Sequence, residues 1–390
     1  MSLATDLDLI VKSVLPIDPG FRRVEQSAID SCVSDTRRYA LEGCKGSFLL
    51  SAMRLLALAE NGHTRLIPND AVSVLPMRFV TIGSAVHLVG TAPDTAAPRG
   101  QLIAVNGAPV SAIETASEAF LAGTRQRKRV IGALLFAWPH ALSHLGFSLD
   151  TETTEFRIRD ATGRTTDFSV KNTSTIPASA LYPRNEHGKA DPAWSPDSFA
   201  EIVDRDGPGL SIVLPSFVDP GERAMADADS RAAERVSGEP AKTLLIDIRG
   251  NTGGDFLKTV PLIDAICDGA DRRVALLVDK FTFSAAIVFA AILKHRLGRR
   301  LILIGEDMGD ALTFFAEGGL FELPTSGAVV RYSTAFHDWE TGTSDETTPA
   351  EIARHIVPAG ALEVDWTWSR DPTTEDAQAF YRQVHESLSG

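Results

Sequence analysis

Three short, continuous apolar runs decide most of what this chain can become. They are KTLLIDIRG, RVALLVDK and RLILIGE, all in the second half of 390 residues. Each has the length of a strand, and none alternates with polar residues as a strand half-exposed to water does. Between them lie NTGGDFLKTVPLIDAIC, a Gly-rich turn that becomes helical, and the helical FSAAIVFAAILKHRLG. GLSIVLPS, upstream, is a further strand candidate. Apolar strands separated by helices imply a parallel sheet covered on both faces, hence an α/β domain. Such sheets collect their functional groups at the carboxyl ends of the strands. The residues just after each run are therefore the ones to read for chemistry.

The rest of the chain has a different texture. Residues 1–74 are expected to form a helical region, because IDSCVSDTRRYALEG and GSFLLSAMRLLALAENG space their apolar residues by three and four. The second segment ends at Asn61-Gly62, a common helix stop, so His63 falls on the loop beyond it. Residues 75–190 read as a small mixed α/β module. VLPMRFVTIGSAVHLVGTA alternates as strands do, and RGQLIAVNGAPVSAI has an Asn-Gly turn between two apolar runs, a hairpin signal. RVIGALLFAWPHALSHLG is helical, and EFRIRDATGRTTDFSV is a strand, a turn and a strand. The polar segment PRNEHGKADPAWSP, around residues 184–197, carries three prolines and is expected to be a linker. The strand-helix domain fills residues 198–390 and includes the alternating FELPTSGAVVRYSTAF.

Composition narrows the partners. Lys plus Arg is 38 and Asp plus Glu is 51, a formal charge of −13. That balance repels phosphate backbones and anionic membrane surfaces, so no nucleic-acid or membrane partner is expected. The longest apolar stretch near the catalytic candidates, AAIVFAAIL, is too short to span a bilayer. The opening MSLATDLDLIVKSVLPIDPG has neither a basic n-region nor a long apolar run. A cytoplasmic location is expected, or a periplasmic or secreted one if a leader has been removed. Cys32, Cys44 and Cys267 give no metal spacing and are expected to be reduced, so neither metal nor cofactor is expected.

Ser284 lies at a strand-to-helix junction in DKFTFSAAIVFAA, where free first-turn N–H groups favour negative charge. An acyl-transfer intermediate needs a nucleophilic oxygen beside such donors. Serine is also simply favoured as a helix N-cap, and that alternative stands. The turn in DIRGNTGGD follows a strand and carries two adjacent glycines, which allow close approach to an anion. It lacks the Gly-Lys-Ser/Thr ending of a phosphate-binding loop, and by itself it is equally an ordinary turn. His63 in ENGHTR has the chemistry of a general base, although one histidine of nine carries little weight alone. For a third member, Glu306, Glu317, Glu340, Asp345, Glu346 and Glu351 all follow Ser284, and the residues do not choose among them.

Taken in order, these segments resemble the tail-specific (C-terminal processing) serine peptidases, a family that includes the tricorn core protease. LLIDIRGNTGG looks like the family's strand and Gly-rich turn, and DKFTFSAAIVFAA like its nucleophile segment. LILIGED and LPTSGAVVRYST look like the strands that follow, RGQLIAVNGAPVSAI like the end of a PDZ-like domain, and ENGHTR like the histidine stretch of the tricorn-like branch. The matches run from about residue 55 to 335. The resemblance implies an α/β fold with a ClpP/crotonase-like catalytic domain, a PDZ-like module and the N-terminal helical region. It implies Ser284 as nucleophile and His63 as base, with an oxyanion hole from the N–H groups of Ala285 and a glycine of the turn, Gly253.

The sequence also departs from the family. The processing branch uses a lysine soon after the Gly-Glu strand end, and GEDMGDALTFFAEGG contains none. A Ser–His–acid arrangement is therefore expected, with Glu317 as the acid, since it falls just before the LPTSG strand pair. In tricorn-like members the acid lies later, which suits the Glu340–Glu351 cluster. The activity expected is cleavage of peptides or unfolded chains. A hydrolase or acyl transferase acting on a small ester or amide, and a non-catalytic peptide-binding protein, are the alternatives. The PDZ-like module has no evident carboxylate-binding glycines, so a scaffold or gating role is expected of it. Oligomeric state is left open.

Overall fold

A computed structural model of the chain describes residues 2–91, 95, 97–148, 152–181, 201–203, 209–218, 224–238, 243–269, 272–368 and 376–389. The chain forms two compact units: residues 1–184 with 315–335, and residues 185–314 with 336–390. The polar segment PRNEHGKADPAWSP lies outside the described residues.

The first unit opens with helices Leu3–Ser13, Gln26–Leu41 and Lys45–Ala57. The third is apolar on more than one face, and Phe48, Leu49, Leu50, Leu55 and Leu56 are all fully buried. Removing such a side chain from water is worth about 1.5–3 kcal/mol, which is why this helix sits in the core. An antiparallel sheet follows, in the order Met77–Ile82, Ala85–Thr91, Gly100–Val105, Thr153–Arg159 and Thr165–Lys171. The Asn-Gly signal is a real hairpin: Gly100–Val105 pairs with Ala108–Pro109, and Asn106 and Gly107 both have positive φ, at 49° and 78°. Phe79 stacks on Phe156 from inside the sheet. A second sheet joins Arg65–Ile67 to Val329–Tyr332, and that strand to Gly319–Glu322, all antiparallel. A short ladder, Ser73–Val74 with Ile176–Pro177, completes this unit's strands among the described residues.

The second unit carries the sheet that the apolar runs imply. Its order is Glu201–Val203, Leu210–Val213, Thr243–Asp247, Arg273–Val278, Leu301–Gly305 and Trp366–Thr367. The last five pair in parallel, while Glu201–Val203 is antiparallel to its neighbour. Every residue of Thr243–Asp247 is buried, which explains why that run does not alternate. Helix Ala285–Leu297 is apolar all round, and Ala285 to Leu293 are all buried. The C-terminal helix Ala377–Ser389 packs Phe380, Tyr381, Val384 and Leu388 against Leu245, Ala275 and Leu277 of the central strands. The observed architecture is thus mixed α/β.

Candidate active site

Ser284 immediately precedes helix Ala285–Leu297, six residues beyond the end of the Arg273–Val278 strand. Its backbone stands at φ 59° and ψ −128°, a region that residues with a Cβ avoid. The side chain makes no capping hydrogen bond, so the helix gains nothing from having serine there. Ser284 is half-buried, between the buried Phe283 and Ala285. Strained serines on sharp strand-to-helix turns are a known way of presenting a nucleophilic hydroxyl.

The Gly-rich turn packs directly against this serine. A Cβ at Gly253 would lie 2.6 Å from Ser284 Cβ, 2.7 Å from the Phe283 carbonyl and 3.0 Å from the Ala285 nitrogen. Gly253 also has φ 96°, so both space and backbone conformation require glycine. Next to it, a Cβ at Gly254 would strike the Phe217 carbonyl at 1.9 Å. The turn is held to that neighbour by Phe217 N–H donating to Gly253 O at 3.1 Å and Asp255 N–H to Phe217 O at 2.8 Å.

The N–H groups around Ser284 are unequally engaged. Ala286 N–H donates to Phe283 O, and those of Ile287 and Val288 donate to Ser284 O. Among the described residues, the Ala285 N–H has no acceptor. The Gly253 N–H donates to Asn251 Oδ1 at 2.9 Å. Of the two donors that the family resemblance implies, one is therefore open and the other is held by a side chain.

Buried charges surround the strand ends. Arg249 and Asp247 are both buried and pair at 2.7 Å, and the Tyr381 hydroxyl donates to the same carboxylate at 2.6 Å. Burial, then the Asp247 charge, hold the Tyr381 phenol protonated well above its ordinary range. Glu306, one of the alternative acids, accepts from Lys280 Nζ at 2.9 Å, with both groups buried. Burial pushes the Asp279 carboxyl up, against the backbone N–H donors that pull it down.

His63 and Glu317 belong to the first unit. His63 is fully buried, in the turn after helix Lys45–Ala57. A polar network fixes that turn. Asn61 Nδ2 donates to Thr64 Oγ1 at 2.9 Å, to Phe315 O at 3.0 Å and to Ser333 Oγ at 3.0 Å. Thr64 Oγ1 donates to Asp18 Oδ2 at 2.6 Å, and Ser333 N–H donates to the same oxygen at 2.8 Å. Desolvation raises the Asp18 pKa, partly offset by these donors. Asn61 thus ties the His63 turn to the segment that carries Glu317. Glu317 is exposed, has φ 58°, and its carbonyl accepts from Thr334 Oγ1 at 2.9 Å.

The structure brings together Ser284, Ala285 and Gly253 in one unit, and places His63 and Glu317 in the other. Glu340, Asp345, Glu346 and Glu351 are exposed residues of the second unit. Sequence reasoning did not single out Asp279 or Asn251, which bind the turns around Ser284. The signal was present in DKFT, because Asp followed three residues later by Thr is an Asx/ST-turn pattern. Among the described residues there is no group of three or more His, Cys, Asp or Glu suited to a metal, and no helix long and apolar enough to cross a membrane.

No protein-family model matches the chain, and no curated protein matches it in sequence. Solved structures do match. Mature CPAF superposes with TM-score 0.56 at 12% identity, covering 94% of this chain and 92% of that one. A serine-to-alanine mutant of CPAF gives 0.58 at 11% identity, covering 98% and 96%. Mature CPAF complexed with lactacystin gives 0.53 at 14%, covering 86% and 90%. Likeness over nearly the whole of both chains establishes a shared fold.

Proposed function

We propose that this chain is a serine peptidase of the tail-specific kind, hydrolysing peptide bonds through an acyl-enzyme on Ser284. The observation that carries the reading is the strained, half-exposed Ser284. It is pressed against Gly253 and has the open Ala285 N–H beside it. A strained serine that caps nothing has no structural reason to be serine, whereas a nucleophile does. The reading takes the second unit as ClpP/crotonase-like and the antiparallel sheet from Met77 to Lys171 as the PDZ-like module.

In this mechanism Ser284 Oγ attacks the scissile carbonyl carbon while His63 accepts the hydroxyl proton. The carbonyl oxygen becomes an oxyanion that accepts from Ala285 N–H, and from Gly253 N–H, which shares its hydrogen with Asn251 Oδ1. Collapse breaks the C–N bond, and the His63 proton leaves with the amine. Water, deprotonated by His63, then releases the carboxylate and restores Ser284. Glu317 is the acid that orients the imidazole. Substrates are peptides or unfolded protein chains.

The test is mass spectrometry after reaction with a fluorophosphonate, on wild type, Ser284→Ala and His63→Ala, alongside digestion of a peptide library. Labelling at Ser284 that vanishes in Ser284→Ala and collapses in His63→Ala, with cleaved peptides, is expected. A wild type that neither labels nor cleaves overturns the reading.

A further inference from the structure

Two turns meet at Ser284, and their relative placement has to be held by something other than Ser284 itself. One turn, residues 248–254, carries Gly253. The other, residues 279–284, ends in the serine. They are cross-linked in both directions. Gly250 N–H, from the first turn, donates to Asp279 Oδ1 of the second at 3.0 Å. Phe283 N–H, from the second, donates to Asn251 O of the first at 3.1 Å. The Thr282 hydroxyl lies 3.3 Å from both Ile248 O and Asp279 Oδ1, reaching across as well.

Asp279 is the centre of this clamp. Its Oδ1 also accepts from Phe281 N–H at 2.9 Å and Thr282 N–H at 3.1 Å. One carboxylate oxygen therefore gathers donors from both turns, and the residue is buried at 7% exposure. A buried carboxylate bound by several backbone N–H groups is a rigid joint, because releasing any one donor leaves a polar group without water. Asn251 completes it. Its Nδ2 donates to Leu214 O at 2.9 Å while its Oδ1 holds Gly253 N–H.

Resting on the peptidase reading above, we infer that Asp279 is a positioning residue, which sets Ser284 and the Gly253 turn at reacting distance by binding both turns through one oxygen. It does not touch substrate. Its removal lets the two turns drift, and a shift of about 1 Å at a reacting centre costs on the order of 100-fold in rate. Because only Oδ1 is used, asparagine preserves the acceptor and alanine does not.

The experiment measures the rate of fluorophosphonate labelling at Ser284, kcat and KM on a cleaved peptide, and Tm. Asp279→Ala is expected to lose about 100-fold in labelling and in kcat, with KM nearly unchanged. Asp279→Asn should recover most of that loss. A wild-type labelling rate in Asp279→Ala overturns the inference. So does an equal fall in Asp279→Ala and Asp279→Asn that tracks the loss of Tm, because that is a purely structural role. If Asp279→Ala does not fold, Thr282→Val carries the test: slowed labelling at unchanged Tm supports the clamp, and the wild-type rate overturns it. An unreactive wild type sinks the peptidase reading instead. A crystal structure of Asp279→Ala or Thr282→Val then decides the clamp, which is overturned if Ser284 and Gly253 keep their present placement.

Discussion

Gly253 lies so close to Ser284 that a methyl group on the glycine would stand 2.6 Å from the serine Cβ. Nothing in the backbone of either residue can yield cheaply, since both already sit at positive φ. Gly253→Ala therefore adds strain and an overlap, together about 2–4 kcal/mol. For a unit of this size Tm should fall by about 5–10 °C. Fluorophosphonate labelling should drop at least about 100-fold, as when an oxyanion donor is lost. Normal labelling in folded Gly253→Ala would remove the glycine from the site.

Ser284 has a testable signature of its own. Its φ of 59° and ψ of −128° cost about 1–3 kcal/mol for any residue with a Cβ. Ser284→Gly relieves that cost and gives back about 0.5–1 kcal/mol in chain entropy. A net gain of about 1 kcal/mol is expected, raising Tm by about 2–4 °C while abolishing labelling. Ser284→Ala should abolish labelling with no such rise, because alanine keeps the strain. Equal Tm values for the two variants would mean that the serine is unstrained.

The buried Lys280–Glu306 pair separates a structural acid from a catalytic one. Glu306→Gln leaves the Lys280 ammonium uncompensated in the core, a change that costs about 3–5 kcal/mol. Replacing the pair together, Lys280→Met with Glu306→Leu, removes both charges and should regain much of the stability and the labelling of Ser284. A stable double variant that stays unreactive would instead assign Glu306 to the catalytic set.

His337 shapes the acid limb of stability. Burial lowers its pKa to about 4, where it stacks on Phe314 with ring centroids 4.9 Å apart and accepts from Trp339 Nε1 at 3.4 Å. In the unfolded chain the same imidazole titrates near its ordinary 6.5. Between these values the unfolded state binds more protons, so stability falls as pH drops from about 6.5 to about 4. The loss attributable to this group amounts to about 3 kcal/mol. Urea melts across that range should show a shallower acid limb in His337→Phe; an unchanged limb would mean that the ring is protonated in the fold.

Much of the second unit could be read directly from residue order. KTLLIDIRG, RVALLVDK and RLILIGE are apolar without alternation because helices and loops cover both faces of their strands, so burial on two sides is written into each run. The Asn106-Gly107 hairpin was legible for a local reason too, since both residues tolerate positive φ. The meeting of Ser284 with the glycine turn was legible because parallel strands deliver their carboxyl ends to one edge. The reading stopped where contacts are distant in sequence. Tyr381 reaches Asp247 across 134 positions, and Asn61 reaches Ser333 across 272. Local pattern carries information about period, caps and turns, which depend on neighbours along the chain. The strain at Ser284, the anchoring of Asn251 to Leu214 O and the gathering of two turns onto Asp279 depend on which segments meet in space. Only the tertiary structure decides that, because hydrogen bonds between turns follow from the packing of the strands beneath them.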